Sequence, residues 1–273
     1  MDTRPVLLGD VQRRVNRVSL VRTALSHWLL WVVLVLGIYN ALPFFAPVAM
    51  RFGWGEAGNL IYNLYSTQCH QMAQRSFFLF GSQVMYSIDA LPVNAAERNA
   101  LLSLREYRGD ETLGWKVAWS DRMVYMYGSL WLSALIYGFW SRRHFVRPLP
   151  FWTFLLFLLP MALDGTTHLL SDVSGLTDGF RYDNAWLASL TNDVFPSSFY
   201  VGDAFGSFNS YARMISGVLF GFGIVWVFFP WVDQEVRRTV LVLDEKLTRF
   251  EHYVEAVGMN PLRHSGKRGN DET

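Results

Sequence analysis

The sequence predicts an all-α fold, a polytopic helical membrane protein of about four transmembrane helices. Three observations carry that prediction: long apolar spans, a shortage of charge, and an uneven placement of the charge that remains. The spans run about 27–49, 124–140, 151–170 and 214–232, each at or near the roughly 20 residues a helix needs to cross a ~30 Å hydrocarbon core. The chain is 51% hydrophobic and 16% aromatic, and only 17% of its residues are charged, against about 25% in an ordinary soluble domain. Mean hydropathy is +0.16, held down by long polar segments between the spans. A net charge of +1 gives no global field for nucleic acid, so none is expected as a partner. The single cysteine excludes an intramolecular disulfide and a multi-cysteine metal site.

The elements follow in order. Residues 1–23 form a basic N-terminus with Arg4, Arg13, Arg14, Arg17 and Arg22. The first span is longer than the ~7–15 apolar residues of a signal peptide and lacks a clean A-x-A site, so it is expected to stay as an anchor. In segment 51–123, Asn59–Phe80 carries Leu60, Leu64, Thr67, Met72 and Phe77 at helical spacing. It is expected to be an interfacial or re-entrant helix bearing Cys69-His70-Gln71. Asn94–Leu104 is a second short helix candidate, with Asn94 as N-cap and Glu97 three residues on, close to a capping box. Arg105–Gly114 reads as a surface turn. The loop after the second span holds Arg142, Arg143, His144 and Arg147 and no acid. Segment 171–213 reverses the sign, with Asp172, Asp178, Asp183, Asp193 and Asp203 against Arg181, and its glycines and aromatics suggest an ordered cap on the membrane surface. By the excess of Lys and Arg on the inner side, both termini are cytoplasmic and segments 51–123 and 171–213 lie outside the inner (plasma) membrane. In the cytoplasmic segment 233–260, Val236, Val240, Leu243, Leu247, Phe250, Val254 and Val257 step by four and three, the stripe of an amphipathic helix. That stripe is expected to rest on the protein or lipid, or alternatively to contact a second copy or a membrane-complex partner. Residues 261–273 are polar and expected to be disordered.

This topology brings Cys69, His70, Arg75, Asp121, Arg122, Asp164, His168 and Arg213 towards one membrane face. Asp164 is the sharpest signal, because a carboxylate inside a span costs on the order of 3 kcal/mol unless it faces a partner or a water-filled cavity. His168 follows one turn later on the same helix face, and Pro160 and Gly165 allow a local kink. An Asp orienting an imidazole serves metal sites and general bases, and equally serves as a plain helix-surface hydrogen bond. Cys69 would need a nearby cation such as Arg75 to act as a thiolate; otherwise it is a small buried thiol beside an interfacial histidine. Arg75, Arg122 and Arg213 each read singly as snorkelling arginines. Converging on Asp164 and Asp121, they would make a buried ion-pair network or an anion site.

The run CHQMAQRSFFLFG (Cys69–Gly81), then PMALDG (Pro160–Gly165) and RMISG (Arg213–Gly217), resembles the pattern of an uncharacterised family of prokaryotic membrane proteins, domain-of-unknown-function family 2085. The resemblance covers about Tyr62–Gly221. The family pattern reads Cys-His-Gln, Arg-Ser-Phe, Cys-x-Arg-Cys at a helix start, Asp-Gly in the next helix, and Arg followed four residues on by Gly. Here SDRM (Ser120–Met123) keeps Arg122 and lacks both cysteines. The resemblance implies a cysteine and histidine metal site or disulfide on the outer face, which this chain cannot build in the same way. A transition metal would have to be held by residues drawn from Cys69, His70, Asp121, Asp164 and His168, with His70, Asp164 and His168 the nearest to a set. The stretch 81–120 looks inserted relative to that pattern, and no function follows from the family.

No phosphate loop, dinucleotide fingerprint, serine elbow or HExxH is present. The function expected is binding or conduction of a small polar or ionic species, or service as a subunit of a membrane complex. The alternatives are a membrane-embedded enzyme using Cys69 or a His/Asp-bound metal, and a purely structural ion-pair network.

Overall fold

The computed structural model describes residues 4–94 and 98–256. Its elements in chain order are α1 (Arg4–Ser26), α2 (Trp28–Arg51), α3 (Gly55–Tyr65), β1 (Ser76–Leu79), α4 (Leu101–Glu106), β2 (Gly109–Asp110), β3 (Gly114–Ser120) and α5 (Asp121–Trp140). They continue with α6 (Thr153–Val173), α7 (Phe180–Asp183), α8 (Ala185–Thr191), α9 (Ser197–Tyr200) and α10 (Phe208–Ala256). The chain forms two compact units, Met1–Trp31 with Trp231–Thr273, and Val32–Pro230.

In the first unit, α1 presents half-buried Val11, Val15, Val18 and Leu25 among exposed neighbours, steps of four, three and seven. The end of α10 presents Val236, Val240, Leu243, Leu247, Phe250 and Val254, all half-buried. The Arg22 Nε to Asp244 Oδ1 bond of 2.9 Å joins the two helices. The stripe expected to rest on the protein, lipid or a second chain is therefore matched by α1. Glu245 and Arg249, one turn apart on α10, stand 3.9 Å from each other. Val257 and the tail 261–273 lie outside the described residues.

Among the described residues, three helices have the length and apolar composition to cross a membrane: α2, α6 and α10. α5 has 20 residues and starts at Asp121, inside the predicted loop. α6 reverses the pattern of a water-facing helix. Leu155, Leu156, Leu159, Leu163, Leu169 and Leu170 are exposed, whereas Asp164, His168 and Ser171 are buried. Apolar surface outward and polar groups inward is the arrangement suited to lipid.

The expected all-α architecture needs a correction, because β1, β3 and β2 form a three-stranded antiparallel sheet in that order. Ser76 pairs with Ser120 and Leu79 with Trp115, with a bulge between Ser76 and Phe78. Asp110 Oδ1 accepts the N–H groups of Thr112 and Leu113 at 2.7 and 2.8 Å, an Asx turn that closes the β2–β3 hairpin. Val117, Ala118 and Trp119 are all fully buried. β3 therefore shows no alternation of apolar and polar residues to give it away.

The helix expected over Asn59–Phe80 ends at Tyr65. Cys69-His70-Gln71 is a loop, in which Gln71 takes the left-handed φ of 52°. The buried Gln71 side chain donates from Nε2 to the carbonyls of Tyr62 and Ala118 at 3.0 and 2.8 Å, tying the loop to α3 and β3 at once. The short helix expected over Asn94–Leu104 begins only at Leu101, and the Glu97 half of its capping box lies outside the described residues.

Lys116, on β3, is fully buried. Its Nζ donates to the carbonyls of Gln71 (2.7 Å), Arg105 (2.6 Å) and Leu104 (3.5 Å). Burial above all, then Arg108, pushes its ammonium down from 10.5 to about 7.

α10 meets α5 through Gly217 and Gly221. A Cβ on Gly217 would stand 3.1 Å from Tyr125 Cβ and 3.2 Å from the Arg122 carbonyl, and one on Gly221 would overlap the Met126 carbonyl and Ser129 Oγ. This is the small-xxx-small contact that lets two helix backbones close in lipid. Gly223 meets Phe157 of α6 in the same way.

Two predictions follow from this packing. Gly221→Leu should lower the unfolding midpoint in detergent, with overpacking worth about 1–3 kcal/mol. Gly128→Leu, with nothing within 4 Å of its added Cβ, should leave it nearly unchanged. For Lys116, the unfolded chain holds the proton up to about 10.5 and the folded chain only up to about 7, so its contribution to stability rises with pH across that window. A pH series of unfolding midpoints should lose that slope in Lys116→Met.

Candidate functional site

The polar face of α6 is built from Asp164, Thr167, His168, Ser171 and Asp172, spaced by one and two helical turns. Other segments meet it: the start of α5 with Asp121 and Arg122, the start of α10 with Asn209, Arg213 and Ser216, α7 with Arg181, and the loops carrying Arg75 and Asp203. Arginine and aspartate alternate through the contacts. Arg213 Nε lies 2.8 Å from both oxygens of Asp121, and its Nη1 lies 2.7 Å from Asp203 Oδ1. Asp203 Oδ2 accepts Arg75 Nε at 2.7 Å. The other end of Arg75 grips Asp172 in a two-point pair at 2.7 and 2.8 Å. Asp164 accepts Arg122 Nη2 at 2.7 Å on one oxygen and Arg181 Nη2 at 2.8 Å on the other. Arg181 also reaches Asn209 at 3.0 Å and Thr167 at 2.9 Å. Four arginines thus meet four aspartates, with formal charge zero.

Burial opposes the charge on Arg75, but Asp203 and Asp172 outweigh it and hold the guanidinium above its ordinary value. Burial likewise pushes Asp203 up, and Arg75 and Arg213 outweigh it, so the carboxyl sits well below the usual range.

His168 is fixed by this network. Arg181 Nη2 lies 3.2 Å from Nε2, and a guanidinium only donates. Nε2 is therefore the bare acceptor nitrogen, and the ring proton is on Nδ1. The 3.7 Å between Nε2 and Asp164 Oδ1 is too long for a hydrogen bond. Nδ1 is buried and has no partner among the described residues, and the same holds for Arg122 Nε.

A cavity of about 290 Å³ lies beside the network. Of the eight residues expected to gather at one face, six line it: Cys69, His70, Arg75, Arg122, His168 and Arg213. Asp121 and Asp164 are not on its wall and instead bind the arginines that are. Cys69 Sγ donates to Ser120 Oγ at 3.3 Å and accepts the N–H groups of Gln71 and Ser120, each at 3.4 Å. The set His70, Asp164 and His168 is not assembled for a metal, because both oxygens of Asp164 are engaged by arginines and His70 is exposed. Among the described residues, no three His, Cys, Asp or Glu are placed to hold an ion.

Sequence reasoning missed Asp172, Arg181 and Asp203 as members of the site. Asp172 lies two turns beyond Asp164 on the face that includes His168, and that periodicity was available. Nothing local distinguishes Arg181, in the single turn of α7, or Asp203, in a loop, from solvated charges.

Asp203→Asn should remove the bridge between Arg75 and Arg213 and leave each with one carboxylate. Breaking a buried pair costs about 3–5 kcal/mol, which should appear as a large drop in the detergent unfolding midpoint, whereas Asp89→Asn at the half-exposed Arg98 pair should change it little. The stability Asp203 supplies should be complete above the ordinary carboxylate range and decline as pH falls below it.

Comparison with known proteins bears on this segment of the chain. Residues 111–227 match the family model described as predicted membrane protein, DUF2085. An uncharacterised protein of Methanocaldococcus jannaschii is 27% identical over 165 residues, covering 59% of this chain and 81% of its own. No solved structure matches the chain. With α5, α6, the first part of α10 and their share of the network inside residues 111–227, the chain is similar across that region to the DUF2085 family of predicted membrane proteins.

Proposed function

We propose that the protein crosses the membrane four times, by α2, α5, α6 and α10, and binds a small polar or ionic species in a cavity at its outer face. The observation that carries this reading is the cavity of about 290 Å³ walled by six of the residues that sequence alone marked. Its volume lies just below the ~300–1,000 Å³ of small-molecule pockets. A purely structural network would have no need of a space beside it with buried N–H groups left over. The close α5–α10 contact through Gly217 and Gly221 supports α5 as a span, and the basic residues Arg142, Arg143 and Arg147 support placing the other end of α5 in the cytoplasm.

A second reading, an enzyme acting through Cys69, has one observation in its favour. Two backbone N–H groups aim at the sulfur, as they would at an ionised nucleophile. The same thiol supplies the test of the binding reading. In intact cells expressing the chain, a membrane-impermeant thiol reagent should label Cys69, the one cysteine, without permeabilisation. With Cys69→Ser as background, Arg143→Cys should be labelled only after permeabilisation. The opposite pattern would overturn the outer placement of the cavity.

A further inference from the structure

The cavity presents an unbalanced set of hydrogen-bonding groups. Arg75 and Arg213 each have Nε and both Nη groups on aspartate or backbone oxygens. Arg122 does not: among the described residues its side chain bonds through Nη2 to Asp164, and its buried Nε has no partner. Nor does His168, whose proton is on Nδ1 because Nε2 accepts from Arg181. Both residues line the cavity. The two buried polar atoms without a partner on this wall are thus N–H donors.

The charges point the same way. Three arginines reach the wall, Arg75, Arg122 and Arg213, against one aspartate, Asp172; the other three carboxylates of the network do not. The network is neutral as a whole, but it turns its positive half towards the space. Buried donors without acceptors are costly because their lost hydration is not replaced, and a ligand rich in acceptor oxygens relieves two at once. A cation would meet the wrong sign, and a ligand that only donates would leave both N–H groups unmet.

We propose that the cavity is a site for a small oxyanion, a carboxylate or a phosphate, held by Arg122 Nε–H and Nη1–H and by His168 Nδ1–H. The proposal rests on the reading of the cavity as a binding site and names its ligand class. Gly165 completes the site: a Cβ there would lie 3.3 Å from Arg122 Nη1 and meet nothing else. The lack of a side chain keeps that guanidinium open to the space. A free anion and the phosphate of a lipid headgroup offer the same chemistry to these donors.

The test uses full-length protein in detergent and the rate of Cys69 labelling as readout, since Cys69 lines the same cavity. The probes are sodium acetate, inorganic phosphate and monomeric dihexanoyl phosphatidate, each against sodium chloride at matched ionic strength. Saturable slowing of labelling by acetate or inorganic phosphate identifies a free anion, and slowing by the phosphatidate alone identifies a lipid headgroup. Either result should weaken at least tenfold in Arg122→Gln. It should be abolished in Gly165→Leu, which fills the space and leaves every charge of the network in place. Unchanged protection in a folded Gly165→Leu protein would overturn the proposal. So would an absence of slowing by all three probes. If Cys69 is labelled from outside the cell and slowed by ammonium or by a neutral solute instead, the binding cavity stands and the oxyanion is wrong. If Cys69 is not reached from outside, the outer placement itself fails.

Discussion

Asp203 accepts from Arg75 on one oxygen and from Arg213 on the other, and three parts of the chain are held together through that one carboxylate. Arg75 comes from the loop ahead of β1, Arg213 from the first turns of α10, and each carries a second aspartate with it: Asp172 at the end of α6, Asp121 at the start of α5. None of these groups is tolerable alone in a low-dielectric interior, where an isolated charge costs several kcal/mol even after relaxation. Each becomes tolerable only when the others are in place. The ends of α5, α6 and α10 are therefore set by a mutual condition on charges, and the soft apolar contacts between the helices are not required to set their register. Packing takes over deeper in the bundle, where Gly217, Gly221 and Gly223 bring backbones and side chains into direct contact.

The cavity is a by-product of how that condition is met. Five N–H groups on a guanidinium cannot all find aspartate oxygens when arginines and aspartates are equal in number and some carboxylates are shared. The shortfall falls on Arg122, which like Arg181 has a single carboxylate partner, and on the histidine that the same aspartate does not reach. The division runs by atom within one side chain: Arg122 Nη2 binds Asp164, while its buried Nε has no partner among the described residues.

How much of this the sequence disclosed depended on whether the signal was local. Apolar spans are long and unbroken, so α2 and α6 are readable within a few residues, whereas α10 joins the span expected at 214–232 and the helix expected at 233–260 into one helix; Asp164 stands out by its cost inside a span. The gathering of Cys69, His70, Arg75, Arg122, His168 and Arg213 round one space followed from topology alone. The sheet was not readable. Its longest strand is buried on both sides, contains a lysine, and is framed by glycines whose role depends on backbones far away in sequence. Gly114 has φ 78° and lies against Leu79 and Gly81. The left-handed backbone of Gln71 was hidden for the same reason, since its side-chain amide donates to carbonyls of Tyr62 and Ala118 on two other elements. Arg181 and Asp203 were visible as charges but not as partners, because pairing between separate segments has no period in sequence.

The glycines of α10 have a mechanical consequence. With Gly217 and Gly221 against α5 and Gly223 against Phe157 of α6, the three helices that bear Arg122, His168 and Arg213 cannot slide or rotate past one another without a steric clash. The spacing of those three side chains is then a constant of the bundle, comparable to the fixed jaws of a gauge. The opposite side of the cavity is made by the loop through Cys69 and His70, so the space has fixed helices on one side and a loop on the other.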